Sequence, residues 1–203
     1  MITQISNLEE GRVKFHGMID TIRDKKSMQF VVLKDFSGKI QVTVEKEKYP
    51  QVAEVFSHLI ANATVEVTGE LVKSEYVKLG GREVLADGVV VTSTAEASPI
   101  LEDTGIDQRI DYRWIDLRQD KNILMFKVQT EFTRSLRDYC LQRDFVEIHS
   151  PKLIGAASES GSDVFEVKYF DTKAYLAQSP QFYKQMAISG GLGRVFEVGP
   201  VFR

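Results

Sequence analysis

The chain has 203 residues, of which 43% are hydrophobic and 27% are charged, and its formal net charge is −3 at pH 7. This length suffices for one large domain or two modest ones, and the composition excludes a disordered chain. The single cysteine, Cys140, excludes a disulfide framework and a cysteine-based metal site. No apolar run approaches the roughly 20 residues of a membrane-spanning helix, and the first residues do not resemble a signal peptide. We therefore expect a cytoplasmic protein with no membrane partner.

The first hundred residues are predicted to form a small β-barrel. Alternating apolar residues predict five strands, at 11–20, 28–36, 38–47, 64–74 and 83–93. A single helix, predicted over 49–63 with Pro50 in its first turn, separates the third strand from the fourth. Three strands, one helix and two strands is the order of the OB fold, a five-stranded barrel. The alternative is a small barrel that binds no ligand.

A change in composition marks a domain boundary. Small and acidic residues, together with Pro99 and Gly105, fill the stretch 93–109 and are typical of a linker. The sequence therefore predicts an α+β chain with three parts: a barrel domain at 1–94, a linker at 95–112 and a second domain at 113–203.

The second domain is predicted to begin with a long helix and to continue with strands. Apolar residues recur every three or four positions over 122–143, which predicts a helix of about six turns. Pro151 must stop or kink the strand predicted after this helix, because proline cannot donate a hydrogen bond inside a sheet. Three more strands are predicted, at 163–170, 173–179 and 194–203. The last one runs to the final residue, which indicates a domain that is cut within a strand.

Five motifs of the second domain occur in a distinctive order: "RWIDLR", "FVEIHSPKL", "AASESGSDVFEV", "YLAQSPQFYKQM" and "VFEVGPVFR". Together they resemble the aspartyl-tRNA synthetases, and most closely the form found in archaea, eukaryotes and some bacteria. The resemblance covers essentially the whole chain, because the predicted OB domain lies where this family has its anticodon-binding domain. It implies a class II synthetase that uses ATP with Mg²⁺ to convert L-aspartate to aspartyl adenylate and then aminoacylates tRNA(Asp). Whether tRNA(Asn) is also a substrate stays open.

An enzyme that selects aspartate over the nearly isosteric asparagine needs a buried cation, which the wrong substrate would leave unpaired. The resemblance implies Lys184 as that cation. It also implies that Gln181 and Ser179 line the same pocket and that Glu159 closes over the substrate ammonium from a mobile loop. Without the surrounding motif, these residues would be interpreted as solvated surface side chains.

Arg203 matches the catalytic arginine of motif 2 in class II synthetases. In the family this arginine holds the α-phosphate of ATP and the amino-acid carboxylate, and a guanidinium suits both because it is planar and stays charged. The rest of motif 2, the Mg²⁺ ligands and motif 3 would follow Arg203. We therefore expect no metal site within the chain and no activity of this chain alone.

The predicted long helix and Pro151 resemble motif 1, which forms the dimer interface in class II synthetases. The resemblance implies a homodimer with Phe132, Leu136 and Pro151 at the interface. Phe132 and Leu136 could otherwise be core residues of a monomer.

The predicted barrel would bind the anticodon. OB folds bind single-stranded nucleic acid by stacking bases on aromatic rings and by holding phosphates with basic residues, and each stacked base contributes about 1 to 3 kcal/mol. The resemblance implies that Phe30 and Gln41 contact the central anticodon uridine and that Arg23 also contacts the anticodon. Positive charge nearby comes from three lysines, Lys25, Lys26 and Lys34. Without the resemblance, Phe30 would be a core residue and the lysines a solvated hairpin tip.

A second function is compatible with the same residues. A non-catalytic, synthetase-like protein could use the barrel as an RNA-binding module and the long helix for dimerisation.

Overall fold

The computed structural model describes residues 3–156 and 164–202. The chain divides into two compact units, one that ends at Tyr112 and one that begins at Arg113.

The first unit contains a closed five-stranded barrel, which confirms the predicted OB fold. Its strands in chain order are β1 (Gly11–Asp24), β2 (Met28–Lys34), β3 (Lys39–Glu45), β4 (Thr64–Lys73) and β5 (Arg82–Ser93). The order around the barrel is β1-β2-β3-β5-β4, with β1 paired to β4 to close it. The β3–β5 pair is parallel, whereas the other pairs are antiparallel. Helix α1 (Pro50–Ser57) lies between β3 and β4 and is shorter than the predicted 49–63.

The core of the barrel follows from the alternation of its strands. Every second side chain faces inward, so Val31 and Leu33 of β2 and Val42 and Val44 of β3 are fully buried. Residues between them on the same strands face away from this core. The barrel thus presents the outer side chains of β1, β2, β3 and β5 on a rigid frame.

The N-terminal segment packs against the barrel, which the sequence did not predict. Ile5 and Leu8 are buried in the same core. The guanidinium of Arg82, at the start of β5, donates one hydrogen bond to the carbonyl oxygen of each, at 3.0 Å. These two bonds fix the segment at one end of the barrel.

The predicted linker is not wholly irregular, because it contains a short helix, α2 (Ile106–Asp111). The side chain of Arg109 donates to the carbonyl oxygens of Thr104 at 2.7 Å and Glu102 at 2.9 Å. These bonds tie α2 to the segment that precedes it.

The second unit begins with two helices, α3 (Arg113–Asp116) and α4 (Asp120–Leu141), and α4 confirms the long helix predicted at 122–143. The remaining elements are short: β6 (Val146–Glu147), β7 (Leu153–Ile154), β8 (Glu166–Tyr169), β9 (Thr172–Leu176), α5 (Gln181–Ala187) and β10 (Val195–Phe196). Strand β6 pairs in parallel with β10, and β9 lies between β7 and β8 in an antiparallel sheet.

The strand predicted at 194–203 was wrong in its extent, because β10 ends at Phe196. Gly199 and Pro200 follow within four residues. Glycine weakens a strand and proline has no N–H for a ladder bond, so the pairing stops although the apolar alternation continues.

Candidate nucleic-acid and amino-acid sites

The barrel brings Arg23, Phe30 and Gln41 together on its outer face. Arg23 of β1 lies directly opposite Phe30 of β2 in the strand register. The guanidinium carbon of Arg23 is 5.7 Å from the centre of the Phe30 ring, which is within the range of a cation–π contact. The same guanidinium donates a long hydrogen bond of 3.4 Å to Oε1 of Gln41 on β3. An aromatic ring, an amide and a cation therefore form one contiguous surface.

Two further residues hold the amide of Gln41 in place. The Gln41 side chain is largely buried, and its Nε2 donates to Oγ1 of Thr43 at 3.2 Å and to Oε2 of Glu83 at 3.1 Å. The hydroxyl of Thr43 donates to the same carboxylate oxygen. Oε1 of Gln41 therefore points towards Arg23 and Nε2 towards Glu83.

Sequence reasoning missed Thr43 and Glu83. Glu83 reaches Gln41 because β3 and β5 pair in parallel, with Gln41 and Glu83 in register. A pairing between residues that are 42 positions apart leaves no local signal in the sequence. The outward alternation of β3 and β5 was the available clue.

The predicted lysines differ in their surroundings. Lys25 and Lys26 are exposed at the β1–β2 hairpin. Lys34 is mostly buried, and its ammonium contacts Oδ1 of Asp20 at 2.8 Å, while Lys39 contacts Oδ2 at 2.7 Å. Burial raises the pKa of Asp20, but the hydrogen bonds from Lys34 and Lys39 lower it by a larger amount. The pKa of Asp20 therefore lies below its ordinary value. The charge of Lys34 is thus offset within the barrel, and it adds little to a surface for nucleic acid.

The predicted amino-acid site lies at the start of α5. Gln181 is the first residue of this helix, and Lys184 follows one turn later on the same face. The hydroxyl oxygen of Ser179 accepts a hydrogen bond from the Gln181 N–H at 3.0 Å, and the Lys184 N–H donates to the Pro180 carbonyl at 3.0 Å. Gln181 is exposed and Lys184 is half-buried. The structure therefore brings Ser179, Gln181 and Lys184 together, while their substrate contacts stay a prediction.

The other two predicted substrate-binding residues, Glu159 and Arg203, lie outside the described residues. The segment immediately before Arg203 is described. The N–H of Phe202 donates to the carbonyl oxygen of Ala177 at 3.0 Å. Since Ala177 lies two positions before Ser179, the chain that leads to Arg203 runs beside the chain that leads to α5.

The apolar face of α4 is exposed. Phe132 is 70% exposed and Leu136 39%, and Pro151 is also exposed. The alternative interpretation of Phe132 and Leu136 as core residues therefore does not hold for the described part of the chain. Other exposed apolar residues of the helix are Leu124, Met125, Phe126, Val128, Tyr139 and Leu141.

The described residues contain neither a candidate metal centre nor a candidate membrane span. Within 3–156 and 164–202, no group of three or more histidine, cysteine, aspartate or glutamate side chains could hold a metal ion. None of the helices in these ranges is long and apolar enough to cross a membrane.

Two families of known proteins match this chain. Residues 105–203 match the sequence model described as tRNA synthetases class II (D, K and N). Residues 13–92 match the model described as OB-fold nucleic acid binding domain. The first match covers the second unit and residues 105–112 before it, and the second match falls on the barrel.

Individual relatives agree with these matches. The chain is 39% identical to an aspartate–tRNA(Asp) ligase from Picrophilus torridus, covering 100% of this chain and 48% of the relative. It is 37% identical to an aspartate–tRNA(Asp/Asn) ligase from Methanopyrus kandleri, covering 94% and 46%. The chain thus spans about half the length of the curated relatives it matches.

Solved structures show the same likeness. An asparaginyl-tRNA synthetase from Pyrococcus horikoshii, complexed with asparaginyl-adenylate, superposes with a TM-score of 0.90 at 28% identity, covering 100% of this chain and 48% of the other. A putative aspartyl-tRNA synthetase from Leishmania major superposes with a TM-score of 0.83 at 32% identity, covering 98% and 41%. The chain therefore belongs to the class II tRNA synthetase family of the D, K and N type, and its barrel is the OB-fold nucleic-acid-binding domain.

Proposed function

We propose that the complete gene product is an aspartate–tRNA ligase, which activates L-aspartate with ATP and transfers the aspartyl group to tRNA(Asp). The observation that carries this proposal is the placement of Lys184 and Gln181 on one face of α5, beside the segment that leads to Arg203. The relatives named aspartate–tRNA ligase support the same assignment, since they match the chain along its whole length.

Selection of aspartate would depend on Lys184. Its half-buried ammonium is suited to pair with the side-chain carboxylate of aspartate. Asparagine offers a neutral amide instead, which would leave the ammonium without a counter-charge in a partly desolvated site. A site built for a specific polar group can reject an analogue that lacks it by about 10⁴-fold.

Adenylate formation would use Arg203 and Glu159, whose roles rest on the sequence resemblance. The carboxylate of aspartate attacks the α-phosphorus of ATP, and pyrophosphate leaves. Arg203 would bind both the attacking carboxylate and the α-phosphate, so that it stabilises the negative charge that develops between them. Glu159 would hold the substrate ammonium. Mg²⁺ is expected to accompany ATP and to neutralise phosphate charge, although the described residues contain no group of three or more histidine, cysteine, aspartate or glutamate side chains that could hold it.

The barrel would bind the anticodon of the tRNA. The ring of Phe30 is half-buried and can stack on a base, while Arg23 supplies a cation beside it. Gln41 would hydrogen-bond the central uridine, and Thr43 and Glu83 would orient its amide. The relatives include ligases named for tRNA(Asp) and for tRNA(Asp/Asn), so tRNA(Asn) is a candidate second substrate.

A second copy of the protein would cover the exposed face of α4. Phe132 and Leu136 lie on this face, and Pro151 follows it at the end of the motif 1 segment. Burial of such apolar surface contributes about 25 cal/mol per Å², which favours a homodimer. A cytoplasmic location fits a chain whose single cysteine, Cys140, is a buried free thiol.

The test is pyrophosphate exchange by the complete gene product. We expect exchange that depends on aspartate and is at least about 100-fold weaker with asparagine. The likeness to asparaginyl-tRNA synthetase makes asparagine activation the competing function, and faster exchange with asparagine would establish it instead. No exchange with either amino acid, combined with tRNA binding, would favour a non-catalytic RNA-binding protein.

A further inference from the structure

A polar cluster forms where β10 ends, outside the residues predicted for either site. We name it the Glu197 cluster, and it consists of Glu197, Ser150 and Lys152. The Glu197 carboxylate is almost fully buried, with a side-chain exposure of 3%. It accepts hydrogen bonds from the Ser150 N–H at 3.2 Å, from the Ser150 hydroxyl at 2.8 Å and from the Lys152 ammonium. The Lys152 ammonium also donates to the Ser150 hydroxyl oxygen at 3.0 Å.

Such a buried ion pair holds its two segments at a fixed distance. Burial raises the pKa of Glu197, but the hydrogen bonds from Lys152 and Ser150 lower it by a larger amount. Its pKa therefore lies below the ordinary value, and the carboxylate is charged at neutral pH. Removing either partner would leave a buried charge without compensation, which is costly. The backbone also closes over the pair, since a Cβ at Gly199 would lie 3.3 Å from Oε1 of Glu197.

The same two segments carry the backbone contacts of the proposed active site. The Ala177 N–H donates to the Lys152 carbonyl oxygen at 2.9 Å, and the Ala177 carbonyl oxygen accepts from the Phe202 N–H at 3.0 Å. Lys152 therefore binds Glu197 through its side chain and Ala177 through its backbone. Five residues after Glu197, the chain returns to Ala177 from its other side.

We propose that Lys152 and Glu197 are a positioning pair for adenylate formation, which sets the distance between the aspartate pocket and the segment at Phe202 that leads to Arg203. Ala177 leads directly to Ser179 on one side of this connection, and Phe202 leads directly to Arg203 on the other. In this role the pair would act through the backbone segments that it joins, without contacting a substrate. The inference rests on the proposed function, and it assigns the Glu197 cluster a role in how the two substrates meet.

The experiment compares variants of the complete gene product in aspartate-dependent pyrophosphate exchange, with rates normalised to active sites titrated by adenylate formation. Glu197→Gln keeps the shape of the side chain but removes its charge. We expect its kcat per titrated site to fall by about 10- to 100-fold, because a misplacement of about 1 Å can cost that much. The kcat of Lys152→Met should fall by a similar factor, whereas Lys152→Arg, which keeps the charge, should retain most of the wild-type kcat.

The matched control is Lys173→Met. Lys173 forms an ion pair with Glu166 at 3.0 Å on the neighbouring β8–β9 hairpin, but both side chains are exposed. Its loss should change the rate by less than about twofold. Where a charge-removing variant yields no folded protein, Ser150→Ala removes one hydrogen bond to Glu197 and should still lower kcat by about threefold or more.

Two results are distinguishable. A wild-type protein without exchange would refute the proposed function itself. An active wild type, with Glu197→Gln or Ser150→Ala lowering only the melting temperature and leaving kcat per titrated site unchanged, would overturn the positioning role alone.

Discussion

The barrel and helix α4 place their apolar residues in opposite environments. In the barrel, inward residues such as Val31, Leu33 and Val42 are completely buried by the chain itself. Along α4, Cys140 is the buried residue, while Phe132 is 70% exposed. The barrel thus buries its own hydrophobic residues, whereas α4 presents an apolar surface that a partner surface would have to cover.

The proposed sites differ in the same way. On the barrel, three strands and the buried side chains of Thr43 and Gln41 hold the nucleic-acid surface in a fixed arrangement. In the second unit, Ser179, Gln181 and Lys184 share one turn of chain, which is joined through Ala177 to Lys152 and to Phe202. The surface on the barrel is thus set by neighbouring strands, whereas the proposed amino-acid site depends on the Lys152–Glu197 pair that joins separate segments.

The largest effect should come from the barrel core. Phe15 of β1 is fully buried, and Phe15→Ala should lower the free energy of unfolding by about 3 to 5 kcal/mol, because it removes buried apolar surface and leaves a cavity. Tyr76→Ala, at an exposed position of the β4–β5 loop, should change it by less than about 0.5 kcal/mol. Chemical denaturation measures both values, and similar losses would show that the barrel is not a self-contained core.

The face of α4 should affect association rather than folding. Phe132→Asp places a charge in the proposed dimer interface and should weaken dimerisation of the complete protein by about 2 to 4 kcal/mol. Sedimentation equilibrium measures this shift. Asp138→Asn, a change at a polar position of the same helix, serves as the control. An unchanged dimer in the Phe132 variant would contradict the proposed interface.

Anticodon binding should depend on the ring of Phe30. We expect Phe30→Ala to weaken tRNA binding by about 1 to 3 kcal/mol, since one stacked base is lost. Phe36 lies just beyond the other end of β2 and is exposed, so Phe36→Ala is the matched control. Filter binding at a fixed salt concentration gives both affinities. Equal losses in the two variants would mean that the Arg23–Phe30–Gln41 surface is not the binding site.

The smallest effect concerns Asp20, whose carboxylate pairs with Lys34 and Lys39. Its pKa is lower in the folded barrel than in the unfolded chain, so its contribution is present above the ordinary pKa of 3.8 and is lost as the pH falls below it. Asp20→Asn should therefore cost about 1 kcal/mol at pH 7, allowing for solvent screening, and nothing in strong acid.

The control for Asp20 is Glu131→Gln on α4, which removes an exposed ion pair with Arg134 and should leave stability unchanged at both pH values. A cost for Asp20→Asn that does not depend on pH would show that the ion pairs with the two lysines contribute nothing.

The barrel could be predicted from the sequence because its signals are local. Alternation along each strand and the order of elements were sufficient for the fold, and they placed Phe30 and Gln41 on adjacent strands. The contribution of Glu83 could not be predicted, since it requires the parallel β3–β5 register. The packing of Ile5 and Leu8 against the barrel likewise depends on contacts with distant residues.

The second unit was less predictable. Apolar residues recur at helical spacing along α4, so the helix itself could be predicted. This spacing cannot show whether Phe132 faces a core or solvent. The strand predicted at 194–203 failed because Gly199 and Pro200 interrupt pairing while the alternation continues. The break in the sequence at Pro180 coincides with the start of α5, the helix that carries Gln181 and Lys184.

The central claim is that Lys184 makes this protein specific for aspartate. The most direct measurement is pyrophosphate exchange by the complete gene product and its Lys184→Met variant, with aspartate and with asparagine as substrates. We predict that the variant loses aspartate-dependent exchange by at least about 100-fold while its affinity for ATP changes little. Full aspartate-dependent activity in the variant, or an equal loss of aspartate activation and ATP binding, would contradict the claim.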